Sequence, residues 1–343
     1  MLTASLLTLG SPQQLTGGYL YHRRLAEIAP RHGARIDLVP LPQLPFPLPA
    51  ALAGRMLHRV ATSDVVVVDS IAAAYVAPWR PGPPLAAVLH QPPGGIDHGA
   101  PRRAVQAALD RALYRRCSLL VLASARLAAD GLPGVATAVV PPGCDVAPPP
   151  DLPPLDLRLG RRCALLSVGN WLARKGTLDL LEAFAVLPPD AATLHLAGRT
   201  DADRRYGRRV ARRLAAGDLA GRVVVHGPVS RERIAHLYAS ADAFVLPSYR
   251  EPYGTVYGEA MAAGLPVAGW RAGNLPHLAD HGREGLLVEP GDRAGLAGAL
   301  RALSEDAGLR RRLAAAAAAR GRTLPTWDAT AARFVALLAG VAG

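Results

Sequence analysis

The chain has 343 residues, half of them hydrophobic and 19% charged. That excludes a disordered tail protein or a small stapled scaffold and predicts about two domains. Net charge is +12, carried almost wholly by arginine because Lys175 is the sole lysine. This suits anionic partners such as nucleotides, phosphates, nucleic acid or an acidic membrane surface, although the Ala, Gly, Pro and Arg bias of a high-GC coding sequence accounts for part of it. Cys117, Cys144 and Cys163 lie far apart, with no CxxC and no histidine at zinc spacing, which argues against a disulfide framework or structural zinc. The first residues lack the positive segment of a signal peptide, and no run of 18 apolar residues occurs. A cytoplasmic, non-spanning protein is expected.

In chain order, strand-length apolar runs alternate with helix-length amphipathic ones. LTASLLTL (2–9), ARIDLVPL (34–41), DVVVVDS (64–70), LAAVLH (85–90) and SLLVLAS (118–124) are separated by stretches such as 19–33 and 102–117. Continuous apolar runs, rather than alternating ones, point to strands covered on both faces of a parallel α/β sheet. Residues 141–154, PPGCDVAPPPDLPP, are too proline-rich for a central strand or helix interior and are expected to form a linker. The alternation then restarts with CALLSVG (163–169), TLHLAG (193–198), RVVVHG (222–227), AFVLPS (243–248), LPVAGW (265–270) and GLLVEP (285–290). Two Rossmann-like, doubly wound domains are predicted, 1–150 and 151–322, with a terminal helix in 323–343.

The second domain opens on SVGNWLARKGTLDLLEAF. A strand ending in Gly169 runs into a loop carrying Arg174 and Lys175, then Gly176; Thr177 is placed to cap a helix whose Leu180, Leu181, Phe184 and Leu187 share one face. Backbone N–H groups and two cations at the carboxyl end of a parallel strand make a phosphate site. A solvated turn is the competing reading.

Residues 242–267, DAFVLPSYREPYGTVYGEAMAAGLPV, say most. Pro252 biases Glu251 to an extended conformation, while Gly254 and Thr255 can open a helix that Gly264 stops. Glu251 therefore precedes the helix and Glu259 lies inside it. Carboxylates face solvent by default, but Glu259 sits among Val256, Ala260, Met261, Ala262 and Ala263. A glutamate buried there needs hydrogen-bond donors, which sugar or ribose hydroxyls would supply.

With these residues in place, the chain resembles a GT-B glycosyltransferase of the retaining family 4 type over nearly its whole length. The resemblance rests on the Gly17-Gly18 loop after the first strand, PPGCD at 141–145, the VG…RKG loop, HG at 226–227, E-x7-E as Glu251 and Glu259, GLPV at 264–267 and GLLVEPGD at 285–292. It implies two Rossmann-like domains facing a cleft, the first on the acceptor side and the second binding the nucleotide sugar. It further implies that Glu251 holds the donor sugar and Glu259 the ribose. Arg174 and Lys175 would neutralise the diphosphate, with backbone groups of Tyr253, Gly254, Thr255 and Val256. Gly227 and Val229 would border the base, Gly17, Gly18 and Asn170 would lie on the donor side, and His90 would stand near sugar and acceptor. The tail 323–340 resembles the helix that crosses back to the first domain. Three positions depart from the pattern: Asn170 replaces an arginine, Pro142 an asparagine, and AGNLPH, with Asn274 and His277, replaces a GG-x-PE turn.

The implied partners are a nucleotide-sugar donor and a small-molecule, glycan or lipid-linked acceptor, with no cofactor and no metal. Cations and a helix end aimed at the leaving diphosphate would stabilise the transition state. D-A-D at 201–203 resembles the metal motif of another glycosyltransferase fold, but Asp203 reads better as the cap of the basic helix that follows. A phosphorylase or epimerase on the same fold, and a degenerate partner subunit, remain as alternatives. A nucleic-acid binder is disfavoured by 5% aromatics and the lack of a recognition motif. Residues 41–60, with Phe46, Leu48, Leu52, Arg55, Met56, Leu57 and Arg59, read either as packing on the first sheet or as a basic amphipathic segment in peripheral contact with anionic membrane.

Overall fold

The computed structural model describes residues 1–14, 16–46, 50–51, 53–54, 57–130, 132–145 and 153–343. Two compact units result: 1–143 together with 325–343, and 144–324. Part of the expected linker, 146–152, lies outside the described residues, as do Leu48, Leu52, Arg55 and Met56 of the amphipathic segment.

In the first unit β1 (Leu2–Leu9), β2 (Ala34–Leu41), β3 (Val65–Asp69), β4 (Leu85–Leu89), β5 (Leu119–Leu122) and β6 (Thr137–Val139) form one parallel sheet in the order β2-β1-β3-β4-β5-β6. The apolar runs divide between the sheet's two faces. Ala4, Leu6, Val65, Val67, Ala86 and Val88 enter one cluster, while Leu7, Val66, Val68, Ala87 and Leu89 enter the other. The first cluster is covered by helices Gly17–Ile28 and Trp327–Ala342, through Tyr21, Leu25, Trp327, Ala331, Phe334 and Leu338. Thr326 caps the terminal helix on Ala329 N at 3.1 Å, and Thr330 Oγ1 donates to Pro141 O at 2.8 Å. Phe46 packs on the opposite cluster beneath the Arg102 guanidinium, which takes the leading aromatic of the amphipathic segment into the protein.

The second unit repeats the plan. β7 (Cys163–Val168), β8 (Ala192–Ala197), β9 (Val223–Gly227), β10 (Ala243–Val245), β11 (Val267–Trp270) and β12 (Gly285–Val288) lie parallel in the order β12-β11-β10-β7-β8-β9. Its inner strands are likewise buried on both faces, Cys163 and Leu165 of β7 on one side and Ala164 and Leu166 on the other, while the edge strand β9 is partly exposed. Leu180, Leu181, Phe184 and Leu187 form the apolar face expected of helix Thr177–Ala185 and its exit. The cap differs from expectation. Gly176 at φ +69° is the N-cap and Thr177 is the first helical residue, because only glycine fits there: a Cβ on Gly176 would stand 2.1 Å from Pro247 O. Gly17 and Gly18, expected in a loop, instead begin a helix.

The strand order changes direction between β1 and β3 in the first unit and between β7 and β10 in the second. Open α/β sheets take ligands outside the carboxyl ends of strands at such switch points. All three cysteines are buried, and burial pushes each thiol up to about 12, so none supplies a thiolate near neutral pH.

Candidate functional site

At the switch point of the second unit, the loop after β7 meets the loop after β10. Lys175 Nζ pairs with Glu251 Oε2, both side chains only slightly exposed. Ser248 Oγ reaches the same carboxylate oxygen at 3.4 Å and donates to Arg174 O at 3.1 Å. Arg174 Nη1 donates to Arg250 O at 3.1 Å, and Tyr249 N to Arg174 O at 2.8 Å. Two residues 76 apart in sequence are thereby locked together by the topology of the sheet. Asn274 N donates to Glu251 O at 2.9 Å and Asn274 Nδ2 to Tyr253 O at 2.7 Å, so the unusual AGNLPH turn braces the Glu251 loop. His277 of that turn is exposed.

The helix Thr255–Ala262 starts beside this pair. Gly254 is its N-cap at φ +83°, the left-handed conformation glycine adopts without penalty. Tyr253, Thr255 and Val256 are partly exposed around that end, whose first N–H groups lack helical acceptors. Glu259 lies within the helix, 2% exposed. Its donors are protein groups: Arg231 Nη1 at 2.5 Å and Tyr238 OH at 3.2 Å. Burial pushes the Glu259 carboxyl up, with the Arg231 charge opposing it.

Sequence reasoning did not single out Arg231, one arginine among many. Its position directly after Ser230, which caps helix Arg231–Ser240, was the available signal. Asn170 Oδ1 accepts from Arg199 N at 3.0 Å, tying the loop after β7 to the one after β8. Gly227 ends β9, with its carbonyl taken by Gly198 N at 2.9 Å, and Val229 packs on the cluster that holds Tyr238 and Met261. Asp203 accepts from Arg205 N and Tyr206 N at 2.9 and 3.0 Å, the cap expected of it, while Asp201 pairs with Arg199.

His90, Gly17 and Gly18 belong to the first unit. His90 follows β4, and a Cβ on Gly18 would touch its ring at 3.5 Å. His90 Nε2 lies 2.9 Å from His22 Nε2, and His22 Nε2 lies 3.7 Å from Asp69 Oδ2. Asp69 in turn accepts from Thr8 Oγ1 at 3.1 Å, Ser70 Oγ at 3.1 Å and Ile71 N at 3.3 Å. These three side chains bring ligand-type atoms within 4.8 Å of one another. The two Nε2 atoms of this cluster are hydrogen-bonded to each other.

Burial pushes His22 down to about 3 and His90 down to about 4, from 6.5 for an ordinary histidine. Both are neutral in the folded protein, whereas an unfolded histidine takes a proton near pH 6.5. Below that pH the unfolded chain binds more protons. Their stabilising contribution is therefore full above about 6.5 and is lost as pH falls toward 4 and 3. Asp69, pushed up by burial, works in the opposite sense over its own titration. The urea midpoint of the wild type should fall between pH 7 and pH 5, and by less in His22→Gln, which removes one of the two histidines. An equal fall in both would contradict the burial argument.

The fold is GT-B, and residues 162–306 match the family model of Glycosyl transferases group 1. The match falls in the half of the chain that carries the RKG loop and the E-x7-E pair. A D-inositol 3-phosphate glycosyltransferase of Xylanimonas cellulosilytica is 34% identical over 208 residues, covering 57% of this chain and 49% of the relative. The chain thus spans about half the length of that curated relative. Among solved structures, sucrose-phosphate synthase from Thermosynechococcus elongatus superposes with a TM-score of 0.84 at 22% identity over 99% of each chain. HepE from Anabaena, solved in complex with UDP and glucose, gives 0.81 at 20% identity over 99% of this chain and 100% of that one. Among the described residues no helix is long and apolar enough to cross a membrane.

Proposed function

We propose that the chain is a retaining glycosyltransferase that takes its sugar from a nucleoside-diphosphate donor. The observation that carries this is the Lys175–Glu251 pair at the switch point, beside a helix end whose first N–H groups lack helical acceptors. A diphosphate there would compete with the Glu251 carboxylate for the Lys175 ammonium, and Glu251 would then be released to accept hydrogen bonds from the sugar. The helix end and Arg174 would add partial and full positive charge.

Cleavage of the donor's glycosidic bond leaves positive charge on the sugar and negative charge on the diphosphate. Groups that meet that growing charge lower the barrier more than they tighten binding. Glu259, held by Arg231 and Tyr238, would offer its carboxylate to the ribose. UDP-glucose is the first donor to try, because a structural neighbour was solved with UDP and glucose. A phosphorylated polyol is the first acceptor class, after the substrate named for the curated relative.

The test is transfer from a panel of nucleotide sugars, followed by NMR of the product. A product that keeps the donor's anomeric configuration is expected, and an inverted one removes the reading. Release of sugar phosphate in the presence of inorganic phosphate would instead indicate a phosphorylase. Absence of any reaction, with nucleoside diphosphate still bound, would indicate a partner subunit. Transfer should persist in excess EDTA, since arginine, lysine and a helix end meet the diphosphate. Loss in EDTA with recovery in Mn²⁺ or Mg²⁺ would count against that arrangement.

A further inference from the structure

We infer that His22 is a positioning residue for His90, donating its Nε2–H to His90 Nε2 and thereby confining the His90 proton to Nδ1. The inference rests on the expectation, carried by the family resemblance, that His90 stands near sugar and acceptor, and it assigns a role to a residue one step behind. His22 sits on helix Gly17–Ile28, 1% exposed, with its ring centroid 4.9 Å from that of His90. Tyr21 packs edge-on against His90 at 5.0 Å and is itself anchored through its OH to Val140 O at 3.0 Å. Ser70 Oγ accepts from the His90 backbone N at 3.2 Å while donating to Asp69. The His90 ring is therefore held from two sides, and the contact between the two Nε2 atoms holds a single hydrogen.

That hydrogen has two possible owners. If His90 owned it, His22 would carry its own proton on Nδ1, a buried atom with no hydrogen-bond partner. Its bare Nε2 lone pair would then face the Asp69 carboxylate at 3.7 Å. A buried N–H without an acceptor bears the desolvation cost of an unpaired donor, and a lone pair opposite a carboxylate is repelled. If His22 owns it, the N–H is donated to His90 Nε2 at 2.9 Å, no His22 lone pair is set against the Asp69 carboxylate, and only a lone pair on Nδ1 is left without a partner. The second arrangement wins on both counts. His90 Nε2 is then an acceptor already in use, and Nδ1–H is the one polar hydrogen its ring can offer. His90 acts toward a sugar as a neutral hydrogen-bond donor and is unavailable as a base through Nε2.

The tautomer is read directly from the long-range ¹H–¹⁵N spectrum of histidine-labelled, donor-free protein. His90 should show a protonated-type shift at Nδ1 and a bare-type shift at Nε2. In His22→Leu, which removes the donor, the His90 signals should move toward the Nε2–H form. In His22→Gln, whose amide nitrogen can donate from nearly the same place, the Nδ1–H form should persist. Transfer kinetics should follow the tautomer: kcat roughly tenfold lower in His22→Leu, donor KM little changed, and most of the rate recovered in His22→Gln. A wild-type His90 protonated at Nε2, or a tautomer unchanged in His22→Leu, overturns the inference. The expected tautomers in a protein that transfers no sugar would leave the His22–His90 arrangement standing and remove only the reading of function.

Discussion

Replacing Lys175 by alanine is expected to lower kcat/KM by about a hundredfold or more, the loss that follows removal of a charge contact made to the transition state. The ammonium can neutralise one phosphate oxygen as a compact point charge, whereas a guanidinium demands planar, paired acceptors. Lys175→Arg should therefore recover only part of the activity, and Arg174→Ala should cost less because its Nη1 is engaged by the Arg250 carbonyl. Glu251 supplies the control. Once Lys175 is gone its carboxylate loses its cation, so Lys175→Ala should be compared with Lys175→Ala/Glu251→Gln for stability before its rate is interpreted. Steady-state kinetics with wild-type kcat/KM in both Lys175→Ala and Arg174→Ala would take the loop out of the donor site and leave it a structural contact.

Glu259→Ala is expected to cost about 3 kcal/mol of unfolding free energy, at the lower end for breaking a buried ion pair because Arg231 keeps partial access to water. Most of that cost belongs to the stranded guanidinium, which would sit beside Tyr238 with no carboxylate. Glu259→Ala/Arg231→Met should accordingly regain much of the loss. Urea unfolding of the two variants checks this, and equal destabilisation of single and double variants would show that the pair is not the cause. Glu259→Gln keeps the shape and a hydrogen-bond acceptor. It should fold well and weaken nucleotide binding more than it weakens the protein.

The sheets were largely legible because buried parallel strands write themselves as uninterrupted apolar runs, and β3, Val65–Asp69, buried along its whole length, lies within its run. β6 escaped notice. Thr137–Val139 has three residues on the sheet's edge and runs straight into prolines, so it carries little apolar signal. Helix starts were read less well than strands. The cap at 176–177 was decided by the approach of Pro247, a tertiary contact invisible along the chain.

For the candidate site, the residue types and their places on loops and helix could be read, but their partners could not. Lys175 and Glu251 meet only because β7 and β10 are neighbours in the sheet. Glu259 was expected to find donors, yet no local pattern pointed to Arg231 and Tyr238 on another helix. His22 was missed although its signal was present. It stands three residues before Leu25 and six before Ile28, on the buried stripe of its helix, where a histidine needs a polar neighbour.

A nucleoside diphosphate is expected to take the Lys175 ammonium from Glu251. Because Lys175 is the sole lysine, lysine-labelled protein gives one side-chain Nζ–Cε system to follow by NMR. Titration with UDP or GDP should move that signal to a saturable end point, the free nucleoside should leave it in place, and Glu251→Gln should start away from wild type yet reach the same bound position. A Lys175 signal that stays put at a nucleoside-diphosphate concentration sufficient to inhibit transfer would contradict that exchange of partners.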